Sequence, residues 1–193
     1  MRIISGIARG TKLYSLDGMN TRPTLDRVKE SLFNILQNEL KNAVILDLFS
    51  GSGALALESL SRGSKKAILC DKSPEAISII KRNVKKTHFE NKTKIICKDY
   101  RKCLENINEK IDLIFIDPPY DLNIAVKALN IIIDKDILSE NGIIVIETDD
   151  EKREIEQINK LNDKINIYDL RTYGWVKLIF LNREGKTWKF SHY

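Results

Sequence analysis

From Ala43 onward the chain alternates between two patterns of apolar positions. Short unbroken apolar runs take turns with longer stretches in which apolar residues recur every three or four positions. The runs VILDLF (44–49), KKAILCD (65–71), TKIICKD (93–99), DLIFID (112–117) and GIIVIET (142–148) have the length of strands. Between them SGSGALALESLSRG, SPEAISIIKRNVKKT, YRKCLENINE, NIAVKALNIIID and DEKREIEQINKL read as helices. Ser73 is placed to cap the second of these, with Pro74 at its first position. Five apolar strands, each followed by a helix, predict an α/β fold with a parallel, doubly wound sheet covered on both faces. The last stretch, KINIYDLRTYGWVKLIFLN, predicts two strands around Gly174 whose short connection makes them an antiparallel pair at one edge.

Before this alternation the pattern is different. RIISGIARGTKLYSL reads as two short strands joined by glycine-containing turns, a β-hairpin. In TRPTLDRVKESLFNILQNEL, Val28, Leu32, Phe33, Leu36 and Leu40 share one helical face, with Thr24 or Asp26 as the expected cap. The organisation expected is thus a hairpin extension over residues 1–20 followed by one domain over 21–193.

Composition agrees with a globular protein, at 42% hydrophobic and 31% charged residues over 193 positions. No apolar run approaches the length of a membrane span, and the opening MRIISGIARG lacks the apolar core of a secretory signal. Cys70, Cys97 and Cys103 are odd in number and have no CxxC spacing. They read as free thiols in a reducing cytoplasm, with Cys70 and Cys97 buried in strands, and no metal site is expected.

The net charge of +5 is unevenly spread. Residues 1–29 and 171–193 each carry +4, residues 61–110 carry +8, and residues 111–170 carry −8. Basic termini suit a polyanionic partner if they converge in space. The basic stretch 61–110 reads instead mainly as lysines on outward helix faces, which is the ordinary surface of a soluble protein.

Candidate chemistry lies where the strands end, because ligands of doubly wound sheets bind beyond the carboxyl ends of the strands. Four strands in succession end on or near an acid: Asp47, Asp71, Asp99 and Asp117. An acid there is costly unless something uses it. After Asp47 comes Ser50-Gly51-Ser52-Gly53, a glycine turn that falls short of the dinucleotide pattern GxGxxG. A carboxylate before that turn repels a pyrophosphate and suits a cation such as the ammonium of S-adenosylmethionine. The backbone N–H groups of 50–53 would meet its carboxylate. Asp71 is placed to accept both ribose hydroxyls, and Asp99 the adenine amine, with Tyr100 beside it. In IFIDPPYD, two prolines end the strand and fix the backbone after Asp117. Asp117 and the carbonyl of Pro118 can take the two N–H groups of a planar exocyclic amine and aim its lone pair at a methyl group. Pro119 fixes the direction of that carbonyl, and Tyr120 can stack on the base.

Several stretches together resemble the RsmD family of bacterial 16S rRNA (guanine-N2)-methyltransferases. They are MRIISGIARGTKL, TRPTLDRVKESLFNIL, ILDLFSGSGALALESLSRG, the DPPY stretch and YGWVKLIFLNR, spread over nearly the whole chain. The resemblance implies a class I methyltransferase, Rossmann-like, with a seven-stranded mostly parallel sheet and an N-terminal extension. It implies S-adenosylmethionine as methyl donor and the 2-amino group of one guanine in 16S rRNA as acceptor, with the 30S subunit as context and a monomeric enzyme. By position, Asp47, Ser50, Gly51, Gly53, Asp71, Asp99 and Tyr100 would bind the cofactor, and Asp117, Pro118, Pro119 and Tyr120 the target base. Arg22, Pro23, Thr24 and Asp26 would stand beside the entrance, and Arg2, Arg9, Lys12, Arg22 and Arg27 would meet RNA phosphates. Trp175 stands where the family usually has a polar residue; packing at the sheet edge is the expectation for Trp175 and Trp188.

Three other classes compete. A DNA adenine-N6 methyltransferase has the same DPPY site, but the chain has no room for a target-reading domain. An RNA-binding assembly factor without activity would have lost Asp117 or the glycine turn. A nicotinamide oxidoreductase would need the complete glycine fingerprint.

Overall fold

The computed structural model describes residues 1–15, 23–118, 123–161 and 164–183, with the side chains of 23–25 left aside. Seven strands form one sheet: β1 (Val44–Asp47), β2 (Lys66–Asp71), β3 (Thr93–Cys97), β4 (Ile111–Ile116), β5 (Leu138–Thr148), β6 (Ile165–Tyr173) and β7 (Val176–Arg183). Their order is β3-β2-β1-β4-β5-β7-β6. The first five pair in parallel, and β7 runs antiparallel to both β5 and β6. This is the class I, Rossmann-like arrangement. The order reverses between β1 and β4, so the chain leaving β1 enters the crevice where such sheets bind ligands.

Among the described residues six α-helices cover the sheet: α1 (Pro23–Ile35), α2 (Ala54–Ser61), α3 (Pro74–Thr87), α4 (Tyr100–Glu105), α5 (Ile124–Asp134) and α6 (Glu151–Ile158). The central strands are apolar apart from charged residues toward their ends (Lys66, Asp71, Asp112), because both faces are covered. On one face, side chains of α1, α2 and α3 such as Phe33, Leu57 and Ile80 pack on Ile45, Leu69 and Phe115. On the other, α4, α5 and α6 bury Leu104, Leu129 and Ile158 against Leu46, Ile68 and Ile114. The face read for α1 is the buried one: Val28, Leu32, Phe33, Leu36 and Leu40 are all in the core. Its expected cap is corrected, because the helix already begins at Pro23 and both Thr24 and Asp26 lie in its first turn. Proline tolerates that first position because its missing N–H would have no helical partner there. For α3, Ser73 caps as read, accepting from the N–H of Ala76 at 3.3 Å.

The N-terminal segment is tighter than two strands. One antiparallel bridge, Arg2 with Lys12, carries it, flanked by Ile3 N–H to Thr11 O at 3.0 Å and Leu13 N–H to Met1 O at 3.1 Å. Ile3 and Leu13 point into the core while Arg2, Lys12 and Tyr14 point out. What holds the segment is α2. Glu58, fully buried, accepts from the backbone N–H of Ile4 at 2.8 Å and of Ser5 at 3.0 Å. It also pairs with Lys29 at 3.2 Å and Arg62 at 2.8 Å. Ser61 completes the attachment, its hydroxyl accepting from Ala8 N–H and donating to Ser5 O. Gly6, at φ +83°, sits so close to α2 that a Cβ would fall 1.9 Å from the Ser61 carbonyl oxygen.

Two further expectations change. Cys97 is exposed, since β3 is the outer strand of the sheet, while Cys70 and Cys103 are buried. Trp175 is 48% exposed rather than packed at the sheet edge. It sits on the β6–β7 turn after Gly174, whose left-handed φ of +65° closes that turn, and it projects past the last paired residues. Trp188 lies outside the described residues.

Candidate active site

Asp47 ends β1, and from there the chain crosses from one neighbour strand to the other. Leu48 N–H donates to Phe115 O of β4 at 3.1 Å, and Ser50 N–H to Cys70 O of β2 at 2.9 Å. The turn closes tightly, with Gly53 N–H bonded to Ser50 O and the Ser50 hydroxyl donating to Asp47 O at 2.7 Å. Gly51 (φ +53°) and Gly53 (φ +78°) both hold left-handed backbone, which glycine adopts without steric cost. A Cβ on Gly53 would meet Leu69 Cδ2 at 2.8 Å, whereas one on Gly51 would meet nothing within 4 Å. Gly53 is therefore needed for packing, and Gly51 faces the open cleft. Gly53 precedes the first residue of α2 and, having no side chain, caps nothing; of the donors at that helix start the Ala56 N–H is already taken by the Asp47 carboxyl.

The acids read from the sequence converge here. Asp71 binds the turn directly, Oδ2 accepting from Gly51 N–H at 2.9 Å and Oδ1 from Ser73 N–H at 2.9 Å. Each of its oxygens retains a second acceptor direction. Asp99 caps α4 by accepting from Arg101 N–H at 3.0 Å, which leaves its other oxygen free of that bond. Tyr100 is buried, its ring 5.6 Å from that of Phe49, and its hydroxyl accepts from Arg101 Nε at 3.2 Å. Tyr100 thus forms a wall of the cleft between β1 and β3.

Asp47 carries the strongest demand. It is 2% exposed, and its Oδ2 is buried with no hydrogen-bond partner. Burial pushes its carboxyl up to about 7; the Asp71 charge adds to this, and the Ala56 N–H and Ser50 oppose it. A buried carboxylate oxygen without a partner is a place where a cationic ligand gains most.

Asp117 follows β4 by one residue. It stands open to solvent yet sits in a recess of surrounding protein. That enclosure first, then the charges of Glu147 and Asp47, push its carboxyl well above the ordinary range. Pro118 is half-buried beside it, and Pro119 and Tyr120 lie outside the described residues.

A family model described as "Conserved hypothetical protein 95" matches residues 1–182. The chain belongs to that family. Among its relatives, Bacillus subtilis "Putative rRNA methyltransferase YlbH" is 35% identical over 96% of this chain and all of its own length. Haemophilus influenzae "Ribosomal RNA small subunit methyltransferase D" is 34% identical over 79% of this chain and 80% of its own. Among solved structures, "Putative methyltransferase yhhF from Escherichia coli" superposes with a TM-score of 0.81 at 28% identity, covering 96% of this chain and 99% of that one. The RsmD-type resemblance read from the motifs is thus the family found by comparison.

Sequence reasoning missed three members of this family site. Glu147 on β5 raises Asp117 and is itself pushed up by burial. The run GIIVIET has an acid next to its end, as the four earlier runs have one on or near theirs, so the signal was present. Asn83, fully buried on α3, ties the N-terminal segment to the glycine turn: its Nδ2 donates to Ser52 O and to Tyr14 O, both at 2.9 Å, and its Oδ1 accepts from Tyr14 N–H at 2.8 Å. Glu58 was also missed, because one acid in a helix reads as surface. The proposed RNA contacts Arg2, Arg9, Lys12 and Arg27 are exposed, the first three on the N-terminal segment, and Arg22 lies outside the described residues.

Proposed function

We propose that this chain is an S-adenosylmethionine-dependent methyltransferase that modifies the exocyclic N2 amine of a guanine in the 16S rRNA of the small ribosomal subunit. The observation that carries the reading is the partnerless, buried Asp47 oxygen beside a left-handed glycine turn. That pairing suits a ligand with an ammonium next to a carboxylate, which is the methionyl end of the cofactor. The names of the relatives, a putative rRNA methyltransferase in Bacillus subtilis and a small-subunit rRNA methyltransferase in Haemophilus influenzae, support rRNA as the acceptor.

In this reading Asp47 takes the ammonium and Asp71 takes the ribose hydroxyls with its remaining acceptor directions. The cofactor carboxylate is met by the amides of Ser52, Ala54 and Leu55 rather than by the whole turn 50–53, because the N–H groups of Ser50, Gly51 and Gly53 are bonded within the fold. Asp99 takes the adenine amine against the wall made by Phe49 and Tyr100. The bound cofactor supplies a methyl group on a positively charged sulfur. Asp117 and the Pro118 carbonyl accept the two amine N–H groups of the guanine, which draws the nitrogen lone pair out of the ring and orients it. Transfer of that methyl group to the oriented amine would form the C–N bond at the expense of the C–S bond, with the electron pair left on sulfur. The amine proton passes to Asp117, whose raised affinity for protons fits that task.

The test is methyl transfer from tritiated S-adenosylmethionine to unmethylated 30S subunits, naked 16S rRNA and duplex DNA in parallel, with nucleoside analysis. Label recovered as N2-methylguanosine from rRNA is expected. Label as N6-methyladenine in DNA, or none on any substrate, overturns the reading.

A further inference from the structure

One group of side chains lies outside the cleft and has no role in the chemistry above. Tyr14 leaves the N-terminal segment 40% exposed, and two cations of α3 converge on its ring. The Arg82 guanidinium carbon is 3.9 Å from the ring centroid and the Lys86 Nζ 4.5 Å. Arg82 and Lys86 are four residues apart on one helix face, a like-charge spacing that is unfavourable when nothing compensates it. Attraction of both cations to the ring offsets this repulsion. No carboxylate among the described residues pairs with Arg82, Lys86, Arg2 or Lys12.

These cations form one surface. Arg2 and Lys12 are opposite each other in the antiparallel bridge, so their side chains leave on the same side. Lys12 and Tyr14 are two residues apart on the outward side, while Leu13 between them is buried. Arg2, Lys12, Tyr14, Arg82 and Lys86 therefore make a continuous basic face over the N-terminal segment and α3. The face is rigidly mounted, because Asn83, one residue from Arg82, holds both the N–H and the C=O of Tyr14 and also the Ser52 carbonyl of the glycine turn.

We infer that this face is a docking site for the RNA backbone, with Arg82 and Lys86, braced on Tyr14, each meeting a phosphate. The inference rests on the rRNA reading above and extends it to α3. Phosphate contacts position a nucleic acid without reading its sequence. An array of cations with no internal partner, fixed to the loop that frames the cofactor cleft, is suited to hold the strand that flanks the target.

The double variant Arg82→Gln/Lys86→Gln separates this from ordinary surface charge. Its control is Lys127→Gln/Lys152→Gln, which removes the same charge from exposed positions on α5 and α6, across the sheet. Filter binding of 16S rRNA is measured from low to moderate salt for wild type and both variants. Loss of two phosphate contacts lowers the slope of log K against log salt by about 2. It also weakens binding on the order of tenfold at low salt, with S-adenosylmethionine affinity and melting temperature unchanged. The control pair is expected to leave the slope as in wild type. Equal slopes in the two variants overturn the docking site even when the wild type methylates rRNA. A wild type that neither binds nor methylates rRNA overturns the functional reading itself, and the docking site with it.

Discussion

Replacing Asp47 by Asn should make the ligand-free protein more stable and the cofactor site useless, and the first effect should depend on pH in a defined way. The Asp47 carboxyl, ordinarily near 3.8, is held up at about 7. At about 1.36 kcal/mol per pH unit the ionised form is disfavoured in the fold by roughly 4 kcal/mol, a ceiling that solvent relaxation brings nearer 2. The native state holds this proton more tightly than the unfolded chain does. Between pH 3.8 and about 7 it therefore binds more protons, and stability falls as pH rises through that window. Above it the loss is complete. Asn has the shape of the protonated acid, can still accept from the Ala56 N–H, and has no charge to bury. The melting temperature of the variant should match wild type near pH 4 and exceed it by about 4–8 °C at pH 8, on the scale of 2–4 °C per kcal/mol for a domain of this size. Melts across pH, with and without S-adenosylmethionine, measure this. The ligand should stabilise wild type strongly at pH 8 and the variant little. A difference between the proteins that is the same at pH 4 and pH 8, or a variant that binds the cofactor as wild type does, refutes the argument.

Other outcomes follow from the same geometry. Asp117→Ala should abolish methyl transfer while calorimetry shows cofactor affinity within a few-fold of wild type. In wild type, transfer should fall as pH drops through the raised Asp117 value, because the protonated acid is a weaker acceptor and can no longer take up the amine proton. Glu58→Ala leaves Lys29 buried without its partner and two backbone N–H groups unmet. It should cost about 3–5 kcal/mol in urea unfolding and open the N-terminal segment to limited proteolysis. Gly53→Ala forces a left-handed residue against Leu69 and should lose at least about 1–3 kcal/mol of stability together with cofactor binding.

The sheet was legible because its strands are buried on both faces, so each reads as an apolar run whatever its neighbours. The first four site acids were legible for the same reason, each interrupting such a run at its end. What escaped depends on contacts between distant positions. Glu58 looks like a solvent-facing residue of an amphipathic helix until the N-terminal amides, more than fifty positions away, are laid against it. Asn83 sits among lysines and reads as surface, yet its amide substitutes for a neighbouring strand at Tyr14. Edge position is likewise invisible in a run of letters. Cys97 belongs to an apolar stretch like Cys70, and only the strand order puts one outside and the other at the centre.

The distribution of charge around the cleft also decides which part of a polynucleotide can enter it. Asp47, Asp71, Asp99, Asp117 and Glu147 all stand near the carboxyl ends of five adjacent strands, while unpaired cations occupy the layer of α3 and the N-terminal segment. A phosphate approaching the cleft meets like charge, and a neutral base does not. On the proposed reading this charge pattern would act as an electrostatic sieve: a strand held at the basic wall would present to the cleft only the part of a nucleotide that carries no charge. The backbone would stay outside, so a guanine would reach Asp117 by swinging away from its own phosphate. Held in a helix, the same guanine would bring its strand's charge in with it and be turned away.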